Sequence, residues 1–319
     1  MKLSYLDLTT TDPDVNLATE QYVFDSLPRD RAWFMLWQND NAIIIGKHQN
    51  TFAEINEPYV REHGIRVVRR LSGGGAVYHD LGNLNFTFAA SPEVYDLQRQ
   101  LNVVIEALTP LGIRAQFSGR NDIIALDGRK FSCNAFKHTK TCSMQHGTLL
   151  VHVDMEKLGR YLNPPMEKMK AKGVDSVRAR VCNLCEFRPD LTVDMLRESL
   201  VKSFLASYGE ARLLDQKDFD IEALRARNAG WDWNYGQTPE FDLSLERRFP
   251  WGGLELMLKL KQGEVSRVKA YSDAMDAEIA DRIERSLRGL PYGAGLAAAL
   301  KGQPGLEDVA DWLEEELPR

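Results

Sequence analysis

Cysteine is scarce in this chain: Cys133, Cys142, Cys182 and Cys185 are the only four in 319 residues. Four thiols in a chain this long make no disulfide scaffold, and a reducing compartment keeps them free. Cys182-x-x-Cys185 has the spacing of half a zinc site, but no second pair and no His-x-x-x-His follows, so two ordinary thiols near a strand or loop are expected. Long apolar runs are missing too: none approaches the roughly 20 residues of a membrane span. The opening Met1-Lys2-Leu3-Ser4-Tyr5-Leu6-Asp7 lacks the basic, apolar and small-residue segments of a signal peptide, and the cytoplasm is the expected location. An excess of positive charge is also absent. The formal net charge of −6 argues against a sequence-independent grip on nucleic acid, which needs a basic face to displace counterions. Neither nucleic acid nor a membrane is expected as a partner, and no internal repeat or low-complexity tract is present.

What is there is ordinary globular material, 44% hydrophobic and 27% charged. The length is about twice a common domain, which favours one large domain with a smaller one. Thr11-Asp12-Pro13, followed by Leu17, Val23, Phe24 and Leu27, predicts a capped helix. Residues 32–38 and 42–48 flank Asn39-Asp40-Asn41 and predict a hairpin. Residues 65–71 predict another strand, and Leu84, Phe86 and Phe88 alternate with Asn85 and Thr87 as in a strand buried on one face. A helix is expected over 97–110. Asp127-Gly128 predicts a two-residue type I′ turn, with Arg129 and Lys130 opening the returning strand.

A strand near 146–153 and helices near 155–162 and 192–208 follow. Between those helices, residues 163–183 have weak periodicity, as functional or mobile segments do. From about residue 245 the pattern changes to strands near 253–260 and 264–272, joined at Gln262-Gly263, then helices near 276–289, 293–300 and 306–317. The boundary falls near 240–248, giving units 1–244 and 245–319.

The most informative segment is Arg69-Arg70-Leu71-Ser72-Gly73-Gly74-Gly75-Ala76-Val77-Tyr78-His79-Asp80-Leu81-Gly82-Asn83. Three consecutive glycines let backbone N–H groups approach an anion closely, and two arginines add fixed positive charge. A flexible turn between two strands would account for the triplet equally well. Two nucleotide-binding patterns are excluded by spacing. There is no Gly-x-x-x-x-Gly-Lys-Ser/Thr, and no Gly-x-Gly-x-x-Gly between a strand and a helix. A nucleotide must then bind on a sheet with a glycine-rich loop.

This segment closely resembles the glycine-rich signature of the lipoate-protein ligase family, whose catalytic fold is shared with biotin ligases. The resemblance extends to Asn16-Leu17-Ala18, Ile45-Gly46-Lys47-His48-Gln49-Asn50, Gly119-Arg120-Asn121-Asp122, Gly128-Arg129-Lys130-Phe131-Ser132 and His146-Gly147-Thr148-Leu149-Leu150. It continues through Ala171-Lys172-Gly173-Val174, Ser176-Val177-Arg178 and Arg180-Val181 to Trp251-Gly252-Gly253-Leu254-Glu255-Leu256, in order and over nearly the whole chain. It implies an α+β fold: a large catalytic domain with mixed, mainly antiparallel sheets and flanking helices, plus a small α+β accessory domain.

The activity implied has two steps. Lipoate is activated with ATP to lipoyl-AMP and pyrophosphate is released; the lipoyl group then passes to a lysine of an acceptor. The acceptors implied are lipoyl domains of 2-oxoacid dehydrogenase E2 subunits, or the glycine cleavage H protein. Lys130 is implied to contact both the acyl carbonyl and the α-phosphate, where a fixed charge is the strongest catalytic device. A solvated lysine beside a turn is the plain reading of the residue alone. Arg70 and the Gly75-Ala76-Val77-Tyr78 backbone are implied ATP contacts.

Asn121 and Asp122 are read as orienting the nucleotide or holding magnesium through water. Lys172, Arg178 and Arg180, in a segment expected to cover the adenylate, complete the ATP set. Ser72, Gly73, Gly74, Gly75, His79, Lys130, His146 and Gly147 form the expected lipoate set, with His79 and Asp80 read as structural or orienting. ATP, magnesium and lipoate are expected as substrates and cofactor, with no tightly bound prosthetic group.

Three other readings compete. An octanoyltransferase of the same fold would act through a cysteine thioester. One branch resembles Asn-Pro-Cys where this chain reads Asn163-Pro164-Pro165, and a second carries its cysteine where this chain has Ser118-Gly119-Arg120. Biotin ligase fits the arginine-glycine segment less well. A catalytically silent lipoate binder would not be expected to keep Lys130, Arg70 and all three glycines.

Overall fold

The computed structural model describes residues 2–26, 31–118, 122–162, 181–235, 243–261 and 264–317. The principal sheet has eight strands in the order β11 (Arg212–Leu213), β1 (Lys2–Asp7), β2 (Arg31–Trp37), β6 (Asn83–Ala90), β10 (Ser143–Leu150), β9 (Lys130–His138), β8 (Asp122–Ala125) and β7 (Ala115–Phe117). β1 runs parallel to both its neighbours, and the other pairings are antiparallel. A second sheet joins β3 (Ala42–Ile45), β4 (Arg66–Arg69) and β5 (Val77–His79), and a third joins β12 (Leu243–Phe249), β13 (Gly252–Lys261) and β14 (Glu264–Ser272). This is the mixed α+β architecture expected.

The principal sheet has two unlike faces. Phe34, Leu36, Phe86, Phe88, Phe131 and Leu149 pack into the main core with helices α4 (Leu97–Leu108) and α6 (Val193–Tyr208). Each helix is capped where its sequence offers a short polar side chain: Asp96 accepts from Arg99 N, and Thr192 from Met195 N. Phe34 stacks on Phe88 and Phe204 with ring centroids 4.7 Å apart; burying one such side chain is worth about 1.5–3 kcal/mol.

The opposite face carries Met35, Trp37, Asn85, Thr87, His146 and Thr148. It is covered by α1 (Pro13–Ser26) and the second sheet, with Leu17, Met35, Trp37, Ile44 and Val68 in one cluster. This corrects the expectation for β6: all eight of its residues are buried. Asn85 and Thr87 are polar inside a second layer, not polar towards water.

The expected hairpin at Asn39-Asp40-Asn41 does not form, because β2 and β3 belong to different sheets. Both edges of β2 are taken by β1 and β6, leaving β3 to pair with β4 and β5. The connecting Asn39 is itself buried. A second correction concerns the Asp127-Gly128 corner. Gly128 N donates to Ala125 O and Ala125 N to Arg129 O, both at 2.9 Å, so Leu126, Asp127 and Gly128 make a three-residue turn. Gly128 is left-handed at φ +84 while Asp127 is not, whereas a type I′ turn needs both. Asp127 instead accepts from Arg129 N at 3.0 Å.

After residue 243, Leu254, Leu256, Leu258, Val265 and Val268 pack against α9 (Ile279–Leu287), α10 (Ala294–Leu300) and α11 (Glu307–Glu316), with Trp312 in the centre. β12, and the helices Glu222–Ala229 and Trp231–Tyr235, had no counterpart among the expected elements. Of the irregular stretch 163–183, residues 163–180 lie outside the described residues. No described helix is long and apolar enough to cross a membrane.

Candidate active site

One row of side chains crosses the covered face of the principal sheet. Trp37 pairs with Asn85, Asn85 with Thr148, and Cys133 with Asp122; Cys133 N donates to Thr148 Oγ1 at 3.2 Å and closes the row. Lys130 joins it through an irregularity in β9. Ile123 pairs with Ser132 but Ile124 with Lys130, so β9 spends an extra residue. In a regular strand Lys130 and Cys133, three apart, would face opposite ways. The bulge turns Lys130 to the face of Cys133 and Asp122, with its Nζ 3.4 Å from Asp122 Oδ1.

The glycine-rich loop between β4 and β5 lies against this row and is organised by Arg70. Its Nη2 donates to Gly73 O and Gly75 O at 2.6 and 2.8 Å, its Nη1 to Ile44 O at 3.0 Å, and its Nε to Ser72 Oγ at 3.0 Å. Burial pulls this guanidinium down to about 10, still cationic at neutral pH. Gly74 takes φ +87, and a β-carbon on Gly46 would stand 2.1 Å from Gly74 O, so loop and neighbour touch through bare backbone. Gly74 N donates to Ala274 O at 2.8 Å.

Arg69, read as a second anion-gripping cation, faces away. It is spent on Gly46 O, Gln49 O, Thr51 Oγ1, Trp233 O and Asn234 O, at 2.7–3.0 Å. It staples the loop scaffold to residues 231–235.

A buried polar chain supports the loop from below. Ser72 Oγ lies 2.6 Å from His146 Nε2, His146 Nδ1 lies 2.8 Å from Glu20 Oε1, and Thr87 Oγ1 donates to the same carboxylate at 2.6 Å. Trp37 Nε1 donates to Thr87 Oγ1 at 2.9 Å, which fixes the indole. His79 is wholly buried; desolvation, then Arg70 and His146, pull it down to about 3, so it is neutral. Burial pushes the Cys133 thiol up, against the opposing pull of Lys130 and Arg70. That thiol therefore sits within the field of both cations.

Loop and row enclose a cleft of about 480 Å³, part of it open to solvent. Its wall includes Leu17, Trp37, Ile44 and Val77 at the apolar side, and Gly74, Gly75, Cys133, Thr148 and Met275 elsewhere. Of the expected site residues, Arg70, Gly74, Gly75, Val77, His79, His146 and Gly147 line it. Ser72 and Gly73 lie behind the loop, Gly73 against Ala274 O. Tyr78 points away: its ring packs on Tyr161 with centroids 4.9 Å apart, and its hydroxyl donates to Asn41 Oδ1. Ala76 joins that same outer cluster.

Lys130 and Asp122 do not line it; they are tied to it through Cys133, the strand partner of Asp122, with Lys130 paired to that carboxylate. Asn121, Lys172, Arg178 and Arg180 lie outside the described residues. Glu20, Trp37, Asn85, Thr148 and Met275 had not been singled out as site residues. Asn85 and Thr87 carried a signal, polar residues in an otherwise apolar strand, but it resembled solvent exposure.

An apolar cleft with a glycine-rich backbone wall, the buried Arg70 guanidinium behind that wall and the Lys130 ammonium next to Cys133 suits an amphipathic acid beside a second anion. Comparison with known proteins sharpens that reading. Residues 12–205 match the lipoyl protein ligase A/B catalytic domain, and residues 238–312 the bacterial lipoate protein ligase C-terminus. The lipoate-protein ligase A of Psychrobacter cryohalolentis is 40% identical over 338 residues, covering 99% of both chains.

Among solved structures, P. falciparum LipL1 in complex with lipoate superposes with a TM-score of 0.86 at 28% identity, covering 98% of this chain and 100% of that one. A lipoate-protein ligase A bound with ATP gives 0.63 at 27% identity, covering 74% of this chain and 99% of that one. The chain belongs to the lipoate-protein ligase family of enzymes.

Proposed function

We propose that this enzyme activates lipoate with ATP and transfers the resulting lipoyl group to a lysine of lipoyl-acceptor domains, those of 2-oxoacid dehydrogenase E2 subunits or the glycine cleavage H protein. The observation that carries the reading is a cleft lined by Gly74, Gly75 and Cys133, with Asp122 paired to Cys133 across the strands and Lys130 ion-paired to Asp122. It gives an acid a slot with an ammonium, ion-paired to Asp122, next to its Cys133 side. In the first step a lipoate carboxylate oxygen attacks the α-phosphorus of ATP; the bond to the β-phosphate oxygen breaks and pyrophosphate leaves. Two anions must meet, and Lys130 is assigned the charge between them.

Arg70 holds the glycine loop in shape and supplies a buried positive field. The main chain of Gly75, Ala76, Val77 and Tyr78 faces the nucleotide, with Asn121, Lys172, Arg178 and Arg180 assigned to the same ligand from the family resemblance. Ser72, Gly73, Gly74, His79, His146 and Gly147 shape the acyl slot, some directly and Ser72 and Gly73 from behind. In the second step the acceptor amine attacks the acyl carbon, the amine loses a proton and AMP departs.

No three His, Cys, Asp or Glu side chains converge among the described residues, so those residues offer no cation cage of their own. A lone carboxylate, Asp122, fits magnesium carried in on nucleotide phosphates with most of its waters. When bound, that ion would neutralise phosphate charge. We assign residues 1–244 to the substrate-binding unit and 245–319 to an accessory unit.

The test is pyrophosphate release from ATP on adding lipoate, with the mass of an isolated lipoyl domain followed in the same mixture. Lipoylation without ATP would instead identify a transferase, and binding without either product a silent homologue.

A further inference from the structure

Two buried hydrogen-bond donors in the cleft wall have no acceptor among the described residues: Nε2 of His79 and Nδ2 of Asn85. Both side chains are almost wholly buried, at 2% and 1% exposure, so neither meets bulk water freely. Their identity as donors follows from their neighbours. Asn16 Nδ2 donates to Asn39 Oδ1 at 2.9 Å, which leaves Asn39 Nδ2 to donate to His79 Nδ1 at 3.2 Å. A neutral imidazole that accepts at Nδ1 carries its proton at Nε2. Asn83 Nδ2 donates to Asn85 Oδ1 at 2.9 Å, so the free end of Asn85 is its NH₂ group. An otherwise apolar surround of Leu17, Trp37, Ile44 and Val77 thus contains two N–H groups that await a partner.

The position of this pair along the cleft says which part of a ligand meets it. Asn85 and Cys133 share one row and are separated by β10. Two strand spacings are roughly 10 Å, about the span of an extended medium-chain acid. With the carboxylate at the Cys133 and Lys130 end, the tail of such an acid reaches Asn85, His79 and the Trp37 ring, whose centroid lies 6.0 Å from that of His79.

Resting on the ligase reading above, we propose that His79 and Asn85 are specificity-determining residues that recognise the sulfur atoms of the dithiolane ring. Divalent sulfur is a weak acceptor but an acceptor nonetheless, and a methylene is none. A plain alkyl tail in the same slot displaces water from both donors and leaves them unpaired, which costs more than the weak bond itself gains. A site built around a polar contact rejects the analogue that lacks it. The cleft thereby separates lipoate from octanoate without a steric gate.

The test compares three acids on the full chain: lipoate, octanoate, and 5-cyclopentylpentanoate, which keeps the ring and lacks sulfur. Dissociation constants are measured by calorimetry for the parent, His79→Phe and Asn85→Leu, and pyrophosphate release is followed on the same samples. The parent is expected to bind lipoate about tenfold more tightly than the cyclopentyl acid. Each variant should narrow that gap severalfold by weakening lipoate alone. Equal weakening of all three acids would assign this end of the cleft to the carboxylate and overturn the proposal. A parent that binds lipoate and the cyclopentyl acid equally would overturn it too, with no variant needed. Failure of pyrophosphate release with intact binding ratios would sink the ligase reading while leaving sulfur recognition standing.

Discussion

The ammonium of Lys130 stands 3.4 Å from the Asp122 carboxylate across the β8–β9 hairpin, both side chains about one-third exposed. A pair this accessible contributes at most about 1 kcal/mol to stability, so its value lies in what the ammonium does when a second anion arrives. Lys130→Ala should lower pyrophosphate release by about 10²–10³-fold, while the melting temperature shifts by no more than a few degrees. A mutant forming adenylate at the parental rate would refute the assignment.

Arg70 is the opposite case, a buried cation whose donors hold Gly73, Gly75, Ile44 and Ser72. Arg70→Ala should cost about 3 kcal/mol or more, because the carbonyls and the hydroxyl are left unmet inside the protein. Arg70→Lys should recover only part of this, since one ammonium cannot reproduce a planar fork. Urea unfolding checks both, and a midpoint unchanged by Arg70→Ala would show the loop to be held by other means.

The buried His79 makes stability depend on pH. Desolvation, with help from Arg70 and His146, keeps it neutral down to about 3, whereas the unfolded chain protonates it near 6.5. Between those values the unfolded state binds one more proton than the folded state. Stability is therefore complete above about pH 6.5 and falls as pH drops through the window, by about 1.4 kcal/mol per unit from this group. A urea series between pH 4 and 6.5 should show a shallower slope for His79→Gln than for the parent; parallel slopes would mean that His79 titrates alike in both states.

Cys133 lines the cleft beside the cations, yet burial keeps its proton on, which suits a wall and not a nucleophile. Cys133→Ala should retain pyrophosphate release and acceptor lipoylation within about threefold, a loss attributable to packing. Loss of lipoylation with intact adenylate formation would reveal a thioester intermediate.

Much of this was legible in the sequence because the glycine-rich segment and the Gly128-Arg129-Lys130 corner are contiguous, and short contiguous motifs survive without knowledge of the fold. The cap of α1 at Thr11-Asp12-Pro13 was likewise local, and Asp14 N donates to Asp12 Oδ1 at 2.9 Å. What escaped was set by the second layer over the principal sheet. Asn85 and Thr87 alternate with phenylalanines as solvent-facing residues would, and nothing within β6 reveals that α1 and β3 cover them. The partners of β2 were equally invisible, since β1 and β6 lie on either side of it in space and far from each other in sequence. Arg69 and Arg70 looked equivalent by composition. Only the placement of Trp233 and Asn234, some 160 residues on, showed that one of them is a staple.

The contact of Gly74 N with Ala274 O makes the last quarter of the chain a component of the cleft. Met275, three residues past β14, closes part of the same enclosure. A fragment ending before β12 would lose one side of the vessel together with its appendage. On the proposed assignment, moving those final strands and helices away from Gly74 would take Met275 out of the wall beside the acyl slot.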